Sequence, residues 1–90
     1  MRRPLKSIVG RRAQFIASFG VVSRGGNILL HDLRGPKGEE SHIWIASYRW
    51  PGKILLPETE IHFSARVGAY DRPDGTYDYG LVDIEIEPEA

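Results

Sequence analysis

Apolar and polar positions alternate in five runs along the chain, each bounded by turn-forming residues. In residues 13–23, Phe15, Ala17, Phe19 and Val21 alternate with Gln14, Ser18 and Gly20. Gly25 and Gly26 turn the chain into the run 27–34 (NILLHDLR), and a loop over 35–40 leads to the run 41–48 (SHIWIASY). The fourth run, 60–70, places Ile61, Phe63, Ala65, Val67 and Ala69 on one face. Arg72-Pro73-Asp74-Gly75 carries the residues of a type I turn. The fifth run follows over 77–87, with Val82, Ile84 and Ile86 on one face and Asp83, Glu85 and Glu87 on the other. Such alternation predicts one buried and one wet side.

These runs predict an all-β fold, a five-stranded antiparallel OB-type barrel. Ten glycines and six prolines interrupt the chain too often for a long helix. The connector over 50–59 has prolines at 51 and 57, so the helix between strands three and four is short or absent. Closure into a barrel is expected because long first and fourth strands would otherwise leave adhesive edges. The predicted core holds Phe15 or Phe19, Leu30, Ile43, Ile45, Ile61, Phe63, Val67, Val82 and Ile84.

With 90 residues and no cysteine, the chain is one domain held by an apolar core, with no disulfide or Cys-based zinc site. No run of apolar residues reaches the length of a membrane span or a signal peptide, so a soluble, cytoplasmic protein without a membrane partner is expected. Net charge is zero, which argues against general affinity for polyanions. The distribution is uneven: residues 1–45 hold eight Lys/Arg against three Asp/Glu, and residues 46–90 hold four against nine. Residues 1–12, with Arg2, Arg3, Lys6, Arg11 and Arg12, read as a basic N-terminal arm outside a single domain over 13–90. On that reading residues 1–10 are not needed for folding. The opposite charged poles equally suit attraction between the ends of one chain or of neighbouring chains, a route to a homo-oligomer.

The landmarks ILLHDLR (28–34), His42-Ile43-Trp44-Ile45, LLPETEIHFSARVGAY (55–70) and the closing strand over 77–86 carry a family resemblance. Together they resemble small, poorly characterised OB-fold-like domains of microbial and viral proteins. Those domains have an H-hydrophobic-W strand and, after a leucine and a polar turn, an F-x-A-R-V-x-x-Y strand. The resemblance spans about residues 15–86 and implies an OB-like barrel. It implies a ligand only by analogy, because OB barrels also bind sugars and proteins. This chain departs from the pattern at Pro57-Glu58-Thr59, where a glycine–acid pair is more usual, and in lacking a proper helix before the fourth strand.

Little in the chain supports catalysis. There is no cysteine nucleophile, serine elbow or P-loop, and no cofactor pattern. His31, His42 and His62 sit on three different runs and would hold a metal only if all three converged. The protein is therefore expected not to be an enzyme. The aromatic residues are more informative. If Ile43 and Ile45 face the core, then His42, Trp44 and Tyr48 face outward, and in the fourth run His62, Arg66 and Tyr70 do the same. Rings beside arginines on an open sheet suit single-stranded nucleic acid, with bases stacked on rings and cations on phosphates. The candidate site is Trp44, Tyr48, His62, Arg66 and Tyr70, joined by Arg11 and Arg12 of the basic arm. Against this, Trp and Tyr often close the ends of a small barrel, and a one-residue shift of phase would bury Trp44. The alternative function is a small protein-interaction domain, an inhibitor or accessory subunit of a virus or mobile element.

Overall fold

The computed structural model describes residues 3–87. Its strands are β1 (Arg12–Val22), β2 (Asn27–Gly35), β3 (Gly38–Ala46), β4 (Glu60–Asp71) and β5 (Tyr77–Ile86). A single helical turn, α1 (Arg3–Lys6), precedes them, and a 3₁₀ turn (Ser47–Arg49) follows β3. All pairings between strands are antiparallel, in the order β3-β2-β1-β4-β5. The central strand β1 therefore pairs with β2 on one side and β4 on the other. The sheet curls into a half-barrel consistent with an OB-type barrel. Its edge strands β3 and β5 approach each other across a seam that no ladder closes among the described residues.

The alternation read from the sequence holds in β3 and β4. Ile43 and Ile45 are buried with Trp44 outside, and Ile61, Phe63, Ala65 and Val67 are buried with His62 and Arg66 outside. Phe15 and Phe19 are both core residues, and Phe15 stacks on Phe63 at 5.7 Å between ring centroids.

In β5 the outcome differs. Leu81 and Tyr79 are buried, Val82 is only half-buried, and Ile86 is exposed, although Ile84 is buried as expected. The cause is a bulge. Register shifts between Ser64/Glu85 and Arg66/Val82, and Asp83 lies in the left-handed region at φ 50°. An extra residue flips the phase of every side chain beyond it. Asp32 in β2 repeats the arrangement at φ 50°, where register shifts against β1, so Leu33 joins Ile28 and Leu30 in the core. Asp is among the few non-glycine residues that tolerate this conformation. A further shift between Phe19 and Val22 leaves Val21 exposed.

Two other boundaries move. The segment 35–40, expected as a loop, is a tight hairpin in which Gly35 pairs with Gly38 and Arg34 with Glu39. Tyr48, expected on the third strand, lies in the 3₁₀ turn. The basic arm is the larger correction. Within the described residues it is packed on the barrel: Leu5 and Ile8 are buried, Val9 bridges Val67, and Gly10 N–H donates to the Val67 carbonyl at 2.7 Å. Arg2 lies outside the described residues. Leu5 and Ile8 stand at helical spacing and seal the end at which β1 begins, while Arg11 is left exposed. The opposite end is closed by Trp50 of the connector, which meets Phe19 edge-on at 5.8 Å. Its indole Nε1 donates to the Lys53 carbonyl at 3.1 Å, so the ring is buried with its polar atom satisfied.

Candidate binding groove at the seam

Where β3 and β5 approach, the outer surface forms a groove of about 270 Å³. Trp44 reaches it from β3, Arg49 from the 3₁₀ turn, Tyr70 and Gly68 from β4, and Gly80 and Val82 from β5. Trp44 is 46% exposed and Tyr70 44%, so neither is a core residue. The floor between them is backbone. Gly68 and Gly80 are cross-strand partners, and both lack the side chain that would fill the depression. A Cβ on Gly80 would lie 3.4 Å from the Tyr70 ring, and one on Gly68 would lie 3.8 Å from Val82. Glycine within a strand often marks such a close approach.

The rings are held in different ways. The Tyr70 hydroxyl is hydrogen-bonded to Arg72, whose guanidinium pairs with the Asp78 carboxylate. Asp78 is 2% exposed and also accepts the Tyr79 N–H at 2.8 Å. Partial burial opposes the charge on Arg72, yet Asp78 and Tyr70 together hold it above the ordinary arginine range. The turn beyond is set by Asp74, which accepts from Thr76 N–H at 2.9 Å and from its hydroxyl at 2.6 Å, with Gly75 at φ 87°. The hydroxyl of Thr76, then its N–H, keeps the Asp74 carboxyl below its usual pKa. Arg49 stands on the other wall, and its guanidinium lies 5.2 Å from the ring centroid of the neighbouring Tyr48, which is 81% exposed outside the groove lining. Gly26 adjoins Ser47, which brings the β1–β2 turn, and Arg24 with it, beside the 3₁₀ turn.

Of the residues singled out in the sequence, Trp44, Tyr48 and Tyr70 therefore lie in or beside one groove. The others lie elsewhere. Arg66 and Arg12 are cross-strand partners on the outer face of β4 and β1. Arg66 is 3.7 Å from the Asp83 carboxylate. Arg12 donates to Ser64 Oγ at 2.9 Å and to the Asp83 carbonyl at 2.7 Å, and lies 3.9 Å from Glu85. His62 stands 3.7 Å from Glu60, which also receives Arg34 at 3.2 Å. Arg11 is exposed at the entry to β1. Arg49 was missed in the sequence because it falls just past the third run, though its place beside Tyr48 was a usable signal. Among the described residues no group of three or more His, Asp or Glu is placed to hold a metal ion, and no helix is long and apolar enough to cross a membrane.

The fold and groove define a small OB-type β domain with an aromatic surface cleft. No family model, curated protein or solved structure matches the chain.

Proposed function

We propose that this domain binds single-stranded nucleic acid in the seam groove and carries no catalytic activity. The observation that supports this reading best is the convergence of Trp44, Tyr70 and Arg49, from three separate elements, around a floor of glycine backbone. A flat base can approach such a floor closely, and stacking on an aromatic ring contributes roughly 1–3 kcal/mol per base. The volume suits one base and its sugar, with Tyr48 offering a further ring at the margin. Arg49 supplies the phosphate contact. Arg12 and Arg66 contribute little, because Ser64 and the Asp83 carbonyl already hold Arg12 and the Asp83 carboxylate holds Arg66. The expected binding is therefore dominated by stacking, with a salt slope of about one or two phosphates.

Fluorescence anisotropy with labelled single-stranded oligonucleotides at two salt concentrations tests this. Micromolar affinity that falls only gently with salt is the expected result. Failure of the wild-type protein to bind at micromolar concentration and low salt would overturn it. One observation favours a second reading, docking of a protein through the same rings: apart from Arg49, the groove lining is uncharged. That reading takes precedence if oligonucleotides do not bind.

A further inference from the structure

A second, larger groove of about 770 Å³ lies beside the connector, and it shares no residue with the seam groove. Its walls are the connector from Pro51 to Leu55 and the facing ends of β4 and β5. In an OB barrel with a helix between strands three and four, that helix covers this end. Here an irregular connector takes its place, with Trp50 inserted beneath it and Leu55 half-buried against the core. Apolar surface is consequently left uncovered. Ile61 and Ile84 form the base, Ile86 is 36% exposed on the wall, and Ile54 and Leu56 stand 59% and 80% exposed on the connector. Aliphatic side chains so exposed beside a concave apolar surface mark a contact surface.

The charges at its margin identify the partner. Glu60, Glu85 and Glu87 line the groove, against one lysine, Lys53, and His62. Glu60 is occupied by Arg34 and His62, but Glu85 has only the distant Arg12, and Glu87 has no ion-pair partner among the described residues. We infer that this groove docks a segment of a partner protein in which aliphatic residues are interleaved with lysine or arginine. The aliphatic side chains pack over Ile86 and Leu55, and the cations meet Glu85 and Glu87. Such a site is independent of the nucleic-acid reading, since nucleic acid would be repelled by these carboxylates. With both sites filled, the domain would join a strand on one face to a protein on another.

Trp50 makes the inference testable, because its indole is bonded to the Lys53 carbonyl in the groove wall. In a Trp44→Phe background it is the sole tryptophan, since the chain has two. The probe is a short synthetic peptide of alternating leucine and lysine, with a leucine–glutamate peptide as control. The lysine peptide is expected to shift Trp50 emission saturably, and the control is not. Glu85→Lys combined with Glu87→Lys should weaken binding about tenfold or more. Ile86→Gln, which leaves the charge unchanged, should also weaken it severalfold. Melting curves of both variants close to that of the parent would show that the fold is intact. The inference fails if the lysine peptide does not bind at millimolar concentration, or if the two peptides bind alike. It also fails if Ile86→Gln binds like the parent, which would reduce the effect to unspecific attraction. None of these results bears on oligonucleotide binding at the seam, so the two readings can fail separately.

Discussion

The seam groove and the outer face of β1, β4 and β5 carry the same kinds of residue and use them in opposite ways. At the seam the rings of Trp44, Tyr48 and Tyr70 are partly exposed, and Arg49, which meets the π-face and hydroxyl of Tyr48, has no carboxylate partner among the described residues. Across the outer face the cations are engaged: Arg66 with the Asp83 carboxylate, Arg12 with Ser64 and the Asp83 carbonyl, and, at its margin on β2, Arg34 with Glu60. An arginine count would rank the second surface higher as a phosphate binder. Its pairing cancels the field that a phosphate would feel, whereas a cation without a carboxylate partner among the described residues keeps its capacity beside exposed rings.

The largest effect expected of any single change falls on neither surface. Leu5→Ala removes a side chain sealed into the end of the barrel, and a cavity of that kind costs about 2–5 kcal/mol. For a domain of this size that is a fall in Tm of ten degrees or more, readable by circular dichroism. The variant sets the scale for a structural loss against which the surfaces can be compared. An unchanged Tm would mean that residues 1–10 are not needed for folding, as the sequence suggested.

Next in size is Trp44→Ala, expected to weaken oligonucleotide binding roughly tenfold to a hundredfold, the value of one stacked base, with a small change in Tm. A melting shift as large as that of Leu5→Ala would place Trp44 in the core and break the contrast. Arg49→Ala should reduce affinity less, and lower the salt slope by about one unit, in titrations across salt. Arg66→Ala is the matched control. As one half of an exposed ion pair it should change affinity and stability by no more than about 1 kcal/mol, and leave the slope as it is. If Arg66→Ala flattened the slope and Arg49→Ala did not, the assignment of the two surfaces would be reversed.

The smallest effect concerns the turn that carries Arg72. The folded-state pKa of Asp74 is depressed by Thr76, so its contribution is present above the carboxylate range and is lost as pH falls through the folded value. Asp74→Ala should therefore melt slightly lower than wild type at neutral pH, and at the same temperature in acid. A difference that persisted in acid would assign the effect to something other than the carboxylate.

How much of this was legible beforehand depended on the range of the physics involved. The phases of β3 and β4 follow from local alternation, so the outward Trp44, Tyr70, His62 and Arg66 and the buried Ile43, Phe63 and Val67 could be read directly. In β5 the pattern of Val82, Ile84 and Ile86 is equally regular in the sequence, yet Asp83 breaks it with a backbone conformation that no alternation records. At the N-terminus, Arg2, Arg3 and Lys6 masked the helical spacing of Leu5 and Ile8. The aromatic half of the groove was visible because it is set strand by strand. Its glycine floor and the pairing of Arg66 with Asp83 depend on the register between β4 and β5, which only the folded chain supplies.

The bulge at Asp83 also bears on how the molecules behave in a crowd. β5 is an edge strand, and VDIEIE without a bulge would be a straight ribbon with an apolar side, ready to add to the free edge of another molecule. The left-handed Asp83 kinks that ribbon and breaks its spacing of amide donors and acceptors. A β-branched residue such as valine is poorly suited to φ 50°. Asp83→Val would favour a straightened strand and, through it, self-association into sheets. The residue that obscured the fold in the sequence thus also interrupts the exposed edge of the sheet.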